Sequence, residues 1–267
     1  RPWFAESNLG GFVNKNLSKV ISKEINKAAH WNYGFHSSSG NIEKFETQFT
    51  SMFKTKNAIS VANNGVGFDL ILKYLNLSSN DEAIIPALNF KAWHMVLLKN
   101  KIKIKLCDID FNTLNMTANT IEPLINNRTK IICLTHYSGL ACDVENVVEL
   151  VKTYESKFGH KIWVIEDCAR AIGLTSNSEP LGFQTDAAVY SFHTAKLLST
   201  LGEGGMVTTN NPSLAESIKN SRNYGGENSW GTNYKLSTIQ CLAGSTQLKE
   251  FNKNLKMRKI NGKKWIY

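Results

Sequence analysis

The sequence predicts an α/β protein, a three-layer α/β/α arrangement around a mostly parallel sheet of about seven strands. Three observations carry that expectation. Short apolar, β-prone runs of four to six residues recur between Ala58 and Thr209, helical segments of nine to fifteen residues fall between most of them, and 267 residues suffice to bury one large core. Hydrophobic residues make up 42% and charged residues 20%, which excludes a disordered chain.

Residues 1–40 hold aromatic and turn-forming residues (Trp3, Phe4, Trp31, Tyr33, Phe35) around a predicted helix over Leu17–Ala29, and Ser38-Ser39-Gly40 reads as a loop. Asn41–Phe53 is an amphipathic helix with Ile42, Phe45, Phe49 and Phe53 on one face. From there strands and helices alternate. The strands are Ala58–Val61, Ala83–Pro86, Ile102–Cys107, Ile131–Leu134, Ile162–Glu166, Ala187–Tyr190 and Met206–Thr209. Between them lie the helices Val66–Leu75, Phe90–Lys99, Thr117–Ile125 and Val144–Phe158. Repeated βα units make the strands parallel, cover both faces of the sheet and direct ligands to the carboxyl ends of the strands. The polar stretch Arg222–Ser237, with Gly225-Gly226 and Gly231, reads as a loop. No internal repeat or low-complexity segment interrupts this pattern.

A net charge of +9 suggests nucleic acid until the charge is located. Seven basic residues and one Glu lie between Lys249 and Lys264 and carry most of the excess. There Lys249, Lys253, Lys256 and Lys263 alternate with Phe251, Leu255, Met257 and Ile260, as on a surface helix with a wet charged face, and no nucleic-acid-reading motif accompanies them. Nucleic acid is therefore not an expected partner. The five cysteines are odd in number and lack C-x-x-C spacing, as reduced, buried thiols of a cytoplasmic protein would. No apolar run reaches the length of a membrane span, the N-terminus lacks a signal-peptide core, and no membrane partner is expected. The chain starts at Arg1 rather than Met, which suggests a trimmed end.

The chemistry-bearing residues sit at strand ends. Lys196 stands in a loop between two core strands, within Ser191-Phe192-His193-Thr194-Ala195-Lys196 and on to Gly202-Glu203-Gly204-Gly205. Burial disfavours an ammonium and leaves an amine able to attack a carbonyl; the alternative is a solvated loop lysine. Asn63-Asn64-Gly65 precedes the helix that begins near Val66, where unpaired N–H groups and a positive dipole end suit a phosphate, although a plain strand-to-helix turn uses the same residues. Asp167 directly follows a buried run and either caps the next helix or pairs with a pyridinium nitrogen. Phe90, with Trp93 as the second choice, either stacks on a ligand ring or packs in the core. A nucleotide-binding dehydrogenase would need G-x-G-x-x-G between a strand and a helix, and Gly202-Glu203-Gly204-Gly205, which leads into a strand, argues against it.

The lysine segment resembles that of the DegT/DnrJ/StrS-type sugar aminotransferases, and the resemblance runs from about Arg1 to the C-terminus. It implies that Lys196 carries pyridoxal 5′-phosphate and acts as general base and acid. It further implies that backbone amides of Asn64, Gly65 and Val66 hold the cofactor phosphate, with Val66 replacing the usual Thr and its hydroxyl. By the same resemblance Ser191 contacts that phosphate, Asp167 pairs with the pyridine nitrogen and Phe90 stacks on the ring. Arg170 stands where many relatives have Gln or His beside the cofactor hydroxyl. Asn233 matches an Asn that crosses to the partner subunit's cofactor phosphate, which implies a homodimer. His136-Tyr137-Ser138-Gly139 matches a scaffold turn, and Trp31-Asn32-Tyr33-Gly34 a segment at the substrate mouth.

The implied division is an N-terminal segment (1–40), a cofactor-binding large domain (41–221), and a dimer-contact loop and helix start (222–267) leading to a C-terminal small domain absent from this chain. The implied reaction moves an amino group from an amino acid, glutamate by expectation, to a keto sugar, nucleotide-linked, in amino-sugar and surface polysaccharide biosynthesis. Keto-cyclitol acceptors remain open, since Arg1-Pro2-Trp3 is similar to members acting on such rings, as does a non-catalytic binding or regulatory protein. Sugar-dehydrating relatives replace the lysine with His, and Lys196 argues against them.

Overall fold

A computed structural model describes residues 14–27, 40–227 and 229–264, so the expectations placed on Trp3, Phe4 and Trp31-Asn32-Tyr33-Gly34 lie outside the described residues. In chain order the first elements are α1 (Leu17–Lys27), α2 (Asn41–Phe53), β1 (Asn57–Val61), α3 (Asn64–Leu75), β2 (Glu82–Pro86), α4 (Ala92–Lys99), β3 (Lys103–Cys107) and α5 (Ala118–Ile121). They are followed by β4 (Thr129–Thr135), α6 (Val144–Phe158), β5 (Trp163–Asp167), a small hairpin of β6 (Thr175–Ser176) and β7 (Glu179–Pro180), β8 (Ala187–Ser191) and β9 (Gly205–Thr209). Helices α7 (Pro212–Ser221), α8 (Thr238–Leu248) and α9 (Phe251–Lys264) complete the described chain.

The seven larger strands form one sheet in the order β1-β9-β8-β5-β4-β2-β3. All pairings are parallel except those of β9, which runs against both β8 and β1. The connection from β8 to β9 contains no helix, so it reverses the chain between neighbouring strands instead of crossing over the sheet. The lysine loop is that reversal. Because β9 is inverted, its first residue, Gly205, lies at the same edge as the last residues of β1 and β8, opposite Val61 and Ser191.

Side chains alternate along the strands and separate into two cores, one on each face. On one face Ile84, Ile132, Leu134, Val164, Ala188, Tyr190 and Met206 meet α2, α6, α8 and the start of α9. On the other, Ile59, Val61, Ile85, Ile131, Ile165, Val189 and Val207 meet α3, α4 and α7. The stripe expected on α2 is buried in full, with Phe49 4.4 Å from Phe53 and 5.1 Å from Tyr190 between ring centroids. Each such ring removed from water contributes about 1.5–3 kcal/mol. Two helices touch down at glycines: a Cβ on Gly67 of α3 would lie 2.8 Å from Val189, and one on Gly244 of α8 would lie 2.5 Å from Phe45.

Differences from the sequence expectation have local causes. The helix expected over Thr117–Ile125 is α5 followed by a 3₁₀ turn, Glu122–Leu124, because Pro123 has no N–H to continue the α pattern. The helix expected from Phe90 starts at Ala92, since Asn89 Oδ1 takes the Phe90 N–H at 2.7 Å and holds the chain outside the helix. Helices α7 and α8 and the β6–β7 hairpin were not among the expected elements. Along α9 only the start packs: Phe251 is buried and Leu255 touches the core, whereas Met257 and Ile260 are exposed. Among the described residues, no helix is long and apolar enough to cross a membrane, and all five cysteines are free and buried.

Candidate active site at the carboxyl edge of the sheet

The turn after β1 opens α3 on a cap. Asn63 is extended, and its side-chain oxygen accepts the Val66 N–H at 2.9 Å. The N–H groups of Asn64 and Gly65, at the first two helical positions, have no partner among the described residues. Beneath this turn the inverted strand passes very close, since a Cβ on Gly205 would lie 2.6 Å from the Asn63 carbonyl carbon and 2.9 Å from the Asn64 nitrogen. Only glycine permits that approach, and it brings the helix start, the end of β8 and the lysine loop into one place.

Asp167 ends β5 beside this turn, in register with Thr135 of β4 and Val189 of β8. Its Oδ1 accepts the Ala169 N–H at 3.0 Å and the Asn64 amide at 3.2 Å, while Oδ2 has no hydrogen-bond partner among the described residues. Burial pushes the carboxyl upward from its usual value, against those two hydrogen bonds and the nearby charge of Lys196. Thus the helix-cap reading of Asp167 does not hold: the carboxylate is only 6% exposed and turns toward α3, and no α-helix follows β5 directly.

Lys196 is half-buried, in a loop braced on both sides. Phe192 and Leu198 are buried, the Phe192 N–H bonds the Gly204 carbonyl at 2.7 Å, and the Thr194 N–H bonds the Gly202 carbonyl at 2.9 Å. Leu201 and Gly202 take positive φ values of 63° and 138° to close the reversal. Ser191, 9% exposed, sits at the end of β8 with its hydroxyl 3.5 Å from the His193 N–H.

The remaining predicted residues line the same edge less tightly. Phe90 is 72% exposed after β2, on a loop tied down where Asn89 Nδ2 donates to Thr135 Oγ1 at 2.8 Å. Trp93 is not available to a ligand, which corrects its place as second choice: it is 1% exposed and stacked on Phe68, with ring centroids 3.9 Å apart. Val66 is half-buried, and Arg170 and Asn233 are exposed. Asn233 pairs with Asn223 in an isolated bridge, and the neighbouring Tyr234 carbonyl accepts the Ala62 N–H at 2.8 Å, so the 222–237 loop is fastened to the end of β1. His136 is buried. Its Nδ1 lies 3.0 Å from the Cys142 nitrogen and its Nε2 2.8 Å from Glu166 Oε2.

Sequence reasoning missed two devices. Arg222 is buried and its Nη1 pairs with Glu46 and donates to the Ser60 carbonyl at 2.6 Å, which anchors the start of the 222–237 loop to α2 and β1. The other is the Asn64 side chain, treated below. An arginine at a helix end and an asparagine in an Asn-Asn-Gly turn carry no signal of burial in themselves.

Comparison with known proteins gives the geometry its kinship. The chain is 32% identical over 241 residues to the dTDP-3-amino-3,6-dideoxy-alpha-D-galactopyranose transaminase of Aneurinibacillus thermoaerophilus, covering 88% of this chain and 64% of that protein. It is 34% identical over 222 residues to the GDP-perosamine synthase of Escherichia coli O157:H7, covering 80% of this chain and 59% of that one. An X-ray structure of an aminotransferase from Psychrobacter cryohalolentis superimposes with a TM-score of 0.81 at 26% identity, over 90% of this chain and 63% of that one. The chain thus spans about three-fifths of the length of these relatives. The sequence profile of the DegT/DnrJ/EryC1/StrS aminotransferase family matches residues 19–264, nearly the whole chain, and the chain belongs to that family.

Proposed function

We propose that this chain is the cofactor-binding part of a pyridoxal 5′-phosphate-dependent aminotransferase that moves an amino group from an amino acid, glutamate as the expected donor, to a keto group on a nucleotide-linked sugar. One observation carries the reading: a braced, half-buried lysine, a carboxylate with one oxygen unfilled among the described residues and a helix start with two N–H groups unpaired among them share one edge of the sheet. That set fits the cofactor, which presents an aldehyde, a basic ring nitrogen and a phosphate. The printed names of the two relatives, a dTDP-sugar transaminase and a GDP-perosamine synthase, support a nucleotide-linked sugar.

When bound, the cofactor supplies an electron sink that stabilises the carbanion left when an amino acid loses its α-proton. The chain's residues do the rest. Lys196 would hold the cofactor covalently until the amino donor displaces it, and its freed amine would then take and return the proton at the donor's α-carbon. Asp167 Oδ2 receives the ring N–H and keeps that proton in place. The Asn64, Gly65 and Val66 amides and the Ser191 hydroxyl hold the phosphate, without the hydroxyl that a Thr at position 66 would add. Phe90 would stack on the ring, Arg170 would lie beside the cofactor hydroxyl, and Asn233 would reach the phosphate of a second copy, which would make the working unit a homodimer. Residues 41–221 are the large domain in this reading, and the enzyme works in the cytoplasm on amino-sugar precursors.

The test is chemical. The protein mixed with pyridoxal 5′-phosphate should develop a visible absorption band that borohydride fixes, and mass spectrometry should locate the adduct on the peptide containing Lys196. An adduct elsewhere, or a Lys196→Ala protein that transfers amino groups at the original rate, ends the reading.

A further inference from the structure

The side chain of Asn64 is one of the most tightly specified groups in the molecule, and its burial is not needed for the phosphate role proposed for its backbone. It is 9% exposed and meets three different partners. Trp93 Nε1 donates to its Oδ1 at 2.7 Å, and its Nδ2 donates to the Val189 carbonyl at 3.0 Å and to Asp167 Oδ1 at 3.2 Å. The chemistry of those partners sets the amide's orientation without ambiguity. An indole N–H can only donate, so it must face the amide oxygen; a carbonyl and a carboxylate can only accept, so they must face the amide nitrogen. Trp93 is in turn immobilised by its parallel stack on Phe68, at an interplanar angle of 6°.

We infer that Asn64 and Trp93 are positioning residues for Asp167: the buried indole fixes which way the Asn64 amide points, and the amide holds Asp167 Oδ1 so that Oδ2 is the oxygen presented to a ligand cation. The inference rests on the proposed role of Asp167 toward a ring nitrogen, and it adds to that role the two side chains that aim the carboxylate. The Ala169 N–H shares Oδ1 from the other side, so both fixed hydrogen bonds fall on one oxygen. Without the tryptophan the amide oxygen loses its donor, and the orientation rests on the Val189 and Asp167 acceptors alone, so the amide is held less firmly against the carboxylate.

The experiment reads Asp167 directly in the cofactor-free protein, from the pH titration of its ¹³C-labelled carboxyl by NMR. Lys196, His136, Cys133 and Cys168 also face Asp167 and stay unchanged throughout. Asn64→Leu removes the donor with the same branching but a larger side chain and should move the Asp167 midpoint upward by about one pH unit. Asn64→Asp keeps the shape and the Trp93 hydrogen bond but sets a second carboxylate beside the first, and should move it further. Trp93→Phe leaves Asn64 in place and should produce a smaller upward shift. If Asn64→Leu does not fold, Asn64→Asp and Trp93→Phe decide between them. Asp167 midpoints within about 0.2 pH units of the original in the Asn64 variants overturn the inference, and an unmoved midpoint in Trp93→Phe alone removes Trp93 from it. A protein whose Asp167 shifts as expected but which never fixes pyridoxal 5′-phosphate keeps this inference and ends the proposed function; the opposite pair of results does the reverse.

Discussion

Glu166 and Asp167 are consecutive carboxylates at the end of one strand, and they face opposite cores. Glu166 is fully buried and both its oxygens are engaged: Oε1 by the Gly182 N–H at 2.9 Å and by the Thr185 hydroxyl, Oε2 by His136 at 2.8 Å. Asp167 is nearly as buried, yet among the described residues its hydrogen bonds fall on one oxygen. Burial therefore does not separate the structural carboxylate from the candidate catalytic one. Unfilled acceptor capacity does. A saturated carboxylate locks the loop carrying Gly182 and Thr185 to the sheet, whereas an unsaturated one retains free energy for a ligand that brings a cationic N–H.

Four measurements can break or sharpen that contrast. The largest effect is expected on the open side, where Lys196→Ala should lower the rate of amino transfer by at least about a thousandfold while changing thermal unfolding far less, since buried Phe192 and Leu198 brace the loop. On the closed side, Glu166→Ala should cost about 3–5 kcal/mol in urea unfolding, because it leaves His136 Nε2, Thr185 and the Gly182 N–H buried without their acceptor. A loss below about 1 kcal/mol would show that this network is not what closes that face.

The third measurement uses pH. Burial holds the Asp167 carboxyl above its usual value, so the folded cofactor-free chain binds that proton more tightly than the unfolded one. The contribution favours folding below the unfolded carboxylate pKa of about 4 and is lost as pH rises through the folded value. Asp167→Asn removes this dependence at constant shape. Melting curves at pH 8 should show the cofactor-free variant about 2 °C more stable than the parent, with the gap closing toward pH 4. Added pyridoxal 5′-phosphate should reverse the order. The smallest effect belongs to Phe90→Ala, which at 72% exposure should change stability by no more than about 0.5 kcal/mol while weakening cofactor binding several-fold, read by titration of the absorption band.

Much of the architecture was legible because it rests on local pattern. All seven strands of the main sheet lie within two residues of their expected limits, and α6 matches its expected limits at both ends, since alternation and helical periodicity report burial directly. The miss at α7 had a readable signal, Asn211 capping ahead of Pro212 at the first helical position, whereas α8 has a weakly patterned sequence that is buried throughout from Cys241 to Leu248. For the site, the motif placed Lys196, Asp167, Ser191 and the Asn63-Asn64-Gly65 turn at strand ends, and the structure brings these strand ends to one edge. What the motif could not supply was the inversion of β9, which makes Gly205 part of the site, or the choice between Phe90 and Trp93, two aromatics three residues apart with opposite fates.

By itself the sequence determined where the seven strands of the main sheet and helices α2, α3 and α6 run, which face of α2 is apolar, and which reactive side chains stand at strand ends, because those properties depend on neighbours within a few residues. The tertiary structure alone decided that Trp93 is core and Phe90 is surface, that Asn64 turns its amide toward Asp167, and that Arg222 is buried against Glu46. Each of those outcomes depends on which hydrogen-bond partner or ring a distant segment brings within about 3–4 Å, a distance that no local pattern encodes.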